Sequence, residues 1–175
     1  MNTKGFGLIT GSPGKGKTTA VRHYTSKLND SLYKIIYSSL STITASEFYK
    51  SLALNLGAVP SDRAIVLLVG LPKLNNILNL SIHEALKQRI IMNYNITGLT
   101  KEESKNYIQE KINQAGCKQD IFNEQAIEAI ANSADGTMRI INKICNQCLI
   151  IGNALKKDTI DNEVVLKAIN DLVLS

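Results

Sequence analysis

The sequence predicts a parallel α/β sheet flanked by helices, followed by a small all-helical part. Three observations predict it. Short apolar runs alternate with helical patterns over residues 1–98. A glycine-rich loop stands between the first apolar run and the first helical pattern. Beyond Gly98 the alternation stops, and only helical patterns follow in 99–175. The joint between the two parts is short and lacks a flexible linker.

The elements follow in order. "FGLIT" (Phe6 to Thr10) is an expected strand. From Lys17 to Leu28, Ala20, Val21, Tyr24 and Leu28 recur on one helix face. "YKIIYSS" (Tyr33 to Ser39) is a second expected strand. "TASEFYKSLALNLG" opens with a capping box, Thr44 to Glu47, carries Phe48, Leu52 and Leu56 on one stripe, and stops at Gly57. "AIVLLVG" is apolar throughout, as a strand covered on both faces should be. "SIHEALKQ" starts with another capping box, Ser81 to Glu84, and "RIIMNYNI" (Arg89 to Ile96) is a fourth strand. Thr100 and Glu103 make a third box. Helices are then expected over Lys101 to Ala115, Glu124 to Ser133, Thr137 to Ile151 and Asn162 to Leu172.

Composition is that of a globular protein, 44% hydrophobic and 20% charged. The net charge of +5 leaves room for an acidic partner such as nucleic acid. The longest apolar run, "AIVLLVGL", is far short of the about 20 residues a bilayer span needs, and the N-terminus lacks a signal-peptide pattern. A cytoplasmic protein without membrane contact is expected. Cys145 and Cys148 form "CNQC" at helical spacing with Ile141, Ile144 and Leu149, so they read as reduced core residues. A structural zinc site wants four ligands, and the spacing of Cys117, His23 and His83 does not complete one. The two histidines read as structural.

"GSPGKGKT" matches the phosphate-loop pattern at Gly11, Gly16, Lys17 and Thr18. Glycines let successive backbone N–H groups turn inward around a phosphate, and the helix that follows starts at its positive end. The cradle would run through Gly11, Ser12, Pro13, Gly14, Lys15 and Gly16. Lys17 would meet the β- and γ-phosphates, Thr18 would hold Mg²⁺, and Thr19 could bond the α-phosphate. The motif calls for a nucleoside triphosphate and does not separate ATP from GTP. Hydrolysis also needs a strand that ends in an acidic residue. No apolar run in residues 1–98 is followed by Asp or Glu.

With "IVLLVGLPKLNN", "HEALKQRI" and "GTMRIINKICNQCLI", the loop block resembles the AAA+ ATPases of the ExeA and DNA-transposition type, over nearly the whole chain. The resemblance implies a P-loop NTPase sheet with an AAA+ helical lid, ATP with Mg²⁺ at their junction, and assembly into a homo-oligomer. It implies an arginine finger at Arg89, aimed at a neighbouring subunit's nucleotide, and a second sensor at Arg139, reaching the γ-phosphate. Lys17, Arg89 and Arg139 would then be the catalytic set. Duplex DNA and a transposase-like protein are the partners it implies.

The departures are as informative. Gly70, Leu71 and Pro72 follow the strand where the family carries a polar sensor. The family's acidic strand should lie between Gly57 and Ala64, where only "AVPSDR" stands, so a segment is missing near 58–63. Either the gene carries a deletion there, or the native protein has a segment that this chain lacks. Three rivals stay open: a nucleotide-gated assembly module without turnover, a secretion-type ATPase, and a P-loop small-molecule kinase. The kinase would want an arginine-rich lid, and "GLTKEESKNYIQEK" has none.

Overall fold

The computed structural model describes residues 5–33, 35–37, 65–117 and 119–173. β1 (Gly5–Gly11) is the middle strand of a three-stranded sheet. It pairs in parallel with β2 (Ile65–Gly70) on one side and with β3 (Ile90–Ile96) on the other. Thr10 stands level with Gly70 and with Asn95, so the C-terminal ends of all three strands meet where the glycine-rich loop begins. That is the end of a parallel sheet at which ligands bind. This is the P-loop NTPase sheet that the sequence implies.

Among the described residues, three of the four expected strands form. Tyr33, Ile35, Ile36 and Tyr37 are described and carry no strand. An apolar run becomes a strand only when a neighbour supplies a hydrogen-bond ladder, and no described strand lies beside these residues. The rest of "YKIIYSS", the expected helix at 44–57 and the stretch at 58–63 lie outside the described residues.

Helix α1 (Lys17–Thr25) ends before Leu28. Lys27 and Leu28 instead donate to Tyr24 and Thr25 in tight turns of 3.2 and 3.1 Å. Val21 is half-buried, whereas Ala20 and Tyr24 are exposed, so the expected apolar face is only partly covered. A short helix that the periodicity did not signal, α2 (Lys73–Leu78), follows Pro72 and buries Leu78. Pro72 suits a helix start because its missing N–H has no intrahelical partner there anyway. The box expected at Ser81 does not form. Ser81–His83 is a 3-10 turn, α3 (Glu84–Lys87) starts after it, and the Glu84 carboxylate accepts from Gln88 Nε2 at 3.3 Å.

The second part follows the sequence closely. Its helices are α4 (Lys101–Gln114), α5 (Glu124–Ala134), α6 (Met138–Ala154) and α7 (Asn162–Val173). At the start of α4, the Glu103 amide donates to Thr100 Oγ1 at 3.2 Å, and the Thr100 amide donates to Glu103 Oε2 at 2.8 Å. Ala126, Ile130, Cys148, Val164, Val165 and Ala168 are fully buried where α5, α6 and α7 meet. This is the main core of the described residues; the sheet adds Leu8.

Cys148 lies in that core and Cys145 packs against it, both as free cysteines. Burial pushes the Cys145 thiol up to about 11 and the Cys148 thiol up to about 12. Thiolate is the reactive form, so both are inert near neutral pH. Iodoacetamide at neutral pH should label Cys117, at the end of α4, well before the other two. Mass spectrometry with and without urea checks this, and rapid native labelling of Cys148 would contradict the burial.

Candidate functional site

The loop begins where β1 runs out at Gly11, behind the fully buried Thr10. The Lys15 amide turns back onto the Ser12 carbonyl at 3.4 Å. Gly16 caps α1 in a left-handed conformation, φ 86°, with no side chain bonded to the helix start. The first N–H groups of α1 therefore have no side-chain cap, which suits an anion. Glycine is favoured at positions 14 and 16 by positive φ, and at 14 by close approach as well. A Cβ on Gly14 would stand 2.9 Å from both Arg139 Cβ and Thr137 Cγ2, and one on Gly16 would stand 2.3 Å from Met138 Cε. The first turn of α6 thus presses directly on the loop.

Above the loop is an open cavity of about 620 Å³. The loop contributes Pro13, Gly14, Gly16, Lys17, Thr18 and Thr19. Leu71 comes from the end of β2, Tyr107 and Lys111 from α4, and Met138, Arg139 and Asn142 from α6. Among the described residues, three cations line it and no carboxylate does. Lys17 Nζ donates to the Gly11 and Ser12 carbonyls at 2.8 and 2.9 Å, so the ammonium is held at the loop. Burial, and then the charge of Arg139, hold the Lys17 pKa below the ordinary lysine value. A polyanion would relieve that repulsion. Tyr107 Oη and the Asn142 side chain bond each other at 3.2 and 3.1 Å, and Lys111 Nζ lies 5.8 Å from the centre of the Tyr107 ring.

The donor set fits a polyphosphate: backbone N–H groups, the Thr18 and Thr19 hydroxyls and three cations, with no carboxylate among the described lining residues to repel it. The aromatic and apolar groups, Tyr107, Met138 and Leu71, give the same cavity a surface suited to a flat base.

Of the residues singled out in the sequence, Lys17, Thr18, Thr19, Pro13, Gly14, Gly16 and Arg139 line this one cavity. Gly11 lies buried at the foot of the loop and Ser12 is exposed on it. The Lys15 side chain turns away from the cavity and reaches the Asp135 carbonyl. Arg89 is exposed in the turn between α3 and β3, and its carbonyl accepts from the Phe6 amide at 3.2 Å. That is the N-terminal end of the strands, roughly 20 Å of strand away from this chain's own loop. Sequence reasoning missed Leu71, Tyr107, Lys111, Met138 and Asn142. A faint signal was there: Tyr107 with Lys111, and Met138 with Asn142, are i, i+4 pairs that share a helix face. A polar cluster at the sheet end was also missed. Thr10 Oγ1 donates to Asn95 Oδ1 at 3.2 Å and accepts from Asn75 Nδ2 at 3.4 Å.

The family model described as "AAA domain" matches residues 1–154. Over 85 residues the chain is 33% identical to General secretion pathway protein A of Aeromonas hydrophila, a match that spans 49% of this chain and 16% of that protein. The Thermotoga maritima RuvB Holliday junction branch migration motor superposes with a TM-score of 0.69 at 20% identity, covering 96% of this chain and 62% of that one. The Aeropyrum pernix ORC1 protein, solved in complex with DNA, gives 0.66 at 13% identity, covering 97% and 60%. The chain therefore spans about three fifths of these structures and about a sixth of the secretion protein, and at these identities the structures establish the fold alone. Among the described residues, no helix is long and apolar enough to cross a membrane.

Proposed function

The chain belongs to the AAA domain family of P-loop ATPases, and from that premise we propose that its cavity binds ATP with Mg²⁺ and uses it to gate assembly rather than for fast turnover. The observation that carries this is the composition of the cavity wall among the described residues: a phosphate loop, three cations, and no carboxylate. Lys17 and Arg139 would meet the terminal phosphates from opposite sides, one from the sheet and one from the lid. Thr18 would hold Mg²⁺, which when bound neutralises phosphate oxygens. Tyr107 and Met138 would cover the base, shielding it from water.

Orienting an attacking water takes a carboxylate or an equivalent acceptor. None lines the cavity among the described residues, which supports slow or absent turnover and agrees with the expectation, from the sequence, of a missing acidic segment near 58–63. Arg89 is exposed and remote from its own loop, which supports a role in a neighbour's site and so a homo-oligomer. Duplex DNA and a transposase-like partner extend this reading; the basic charge favours an acidic partner. The likeness to General secretion pathway protein A keeps a secretion-type role as the second reading.

One assay tests this reading. ATP·Mg²⁺ binding and phosphate release are measured with and without duplex DNA, beside the Arg139→Ala variant. Binding with little release is expected. Steady hydrolysis that Arg139→Ala removes would show that another acid serves and would overturn the gating reading. DNA that changes neither binding nor assembly would remove the DNA partner.

A further inference from the structure

Lys15 is a loop cation whose charge leaves the cavity. It is 8% exposed, its ammonium donates to the Asp135 carbonyl, and it stands 3.6 Å from Asp135 Oδ2. Asp135 closes α5 in a left-handed conformation, φ 45°, and its carbonyl belongs to the negative end of that helix. The Lys15 stem lies against Gly98, where an added Cβ would be 2.4 Å from Cδ and 2.9 Å from Nζ. One residue on, the Leu99 amide donates to the Gly136 carbonyl at 2.9 Å. Phosphate loop, the connector after β3 and the α5–α6 turn thus converge on one buried ammonium.

The same turn launches α6, and Arg139 lies four residues beyond Asp135 with its Cβ against Gly14. Whatever fixes Asp135 to the loop also fixes where Arg139 enters the cavity. We propose that Lys15 is a positioning residue that latches the phosphate loop to the α5–α6 turn and so holds Arg139 at the phosphate end of the cavity. The proposal rests on the reading of that cavity as an ATP site. Its geometry, however, can be tested without nucleotide.

Lys15→Met keeps the length and loses the donors, while Lys15→Arg keeps both charge and donors. In the nucleotide-free chain, hydrogen exchange at the Leu99 amide should quicken by about tenfold in Lys15→Met and stay near the parent rate in Lys15→Arg. Exchange at the buried Ile130 amide is the control for folding; if it too is lost, Lys15→Gln takes the place of Lys15→Met. In the second arm, Lys15→Met should weaken ATP·Mg²⁺ binding about tenfold in the parent, but no more than about twofold in an Arg139→Ala background. Such non-additivity is what action through Arg139 requires, and a local packing defect would not produce it. Unchanged Leu99 exchange, or an equal loss of affinity in both backgrounds, overturns the latch. A parent chain that shows the exchange result yet binds no ATP sinks the ATP reading and leaves the latch standing.

Discussion

Lys17→Ala is expected to abolish measurable ATP binding, with a loss of about 100-fold or more. The ammonium already sits between the Gly11 and Ser12 carbonyls, at the mouth of the loop, with two charge-assisted bonds. Small shifts would carry it onto a phosphate entering the cradle. Alanine removes both the charge and the donors, and no second lysine side chain from the loop lines the cavity, since Lys15 is turned to Asp135. Stability should change little. The bond to the Ser12 carbonyl is exposed and only the one to Gly11 is partly buried, and the repulsion from Arg139 disappears as well. Calorimetric titration alongside urea unfolding checks both halves. A variant that binds ATP as the parent does would remove the phosphate-loop assignment altogether.

The same lysine sets a pH dependence. Its pKa is lowered by burial first and by Arg139 second. A bound polyphosphate favours the charged form, so binding draws a proton and affinity falls as pH rises through the lowered pKa. Arg139→Ala removes one of the two lowering causes, so the fall should move to higher pH. Titrations from neutral pH up to the ordinary lysine range read this out. A fall that stays in place, or moves to lower pH, would contradict the coupling.

Gly136→Ala is expected to destabilise the junction by about 2–4 kcal/mol. The added Cβ would stand 2.0 Å from the Leu99 carbonyl oxygen and 2.8 Å from its nitrogen, and φ at Gly136 is 64°. Both obstacles are backbone, so no rotamer change relieves them. The connector or the α5–α6 turn must move, breaking the Leu99–Gly136 hydrogen bond and shifting Arg139 with it. Urea unfolding should show the lower midpoint, and ATP affinity should fall with it. An unchanged midpoint would mean that the turn is looser than its contacts imply. Exchange should quicken most at Leu99, whose bond to Gly136 is broken, and less at the fully buried Val164 and Val165.

Much of this was legible in particular residues. The Thr100–Glu103 box announced α4, and the spacing of Ile141, Ile144 and Cys148 announced the buried face of α6. Ser81–Glu84 carried the same box signature without forming it, because Glu84 engages Gln88 and the chain there takes a 3-10 turn. "YKIIYSS" has strand composition, yet its described residues find no ladder. Tyr107 and Asn142 belong to no motif in the sequence; only the packing of α4 and α6 brings their side chains into hydrogen-bond contact.

By itself the sequence determined the phosphate loop, the strands that carry it and the helices of the second part. Their signals are local: a glycine where φ must be positive, a hydroxyl three residues before a glutamate, an apolar residue every third or fourth place. The tertiary structure alone decided which cations face the cavity. Lys15 and Lys17 are two residues apart in one motif, yet Lys17 lines the cavity while Lys15 bonds a carbonyl 120 residues away. No local pattern encodes that choice, because it arises only when the α5–α6 turn packs against the loop and offers the carbonyl end of a helix to the Lys15 ammonium.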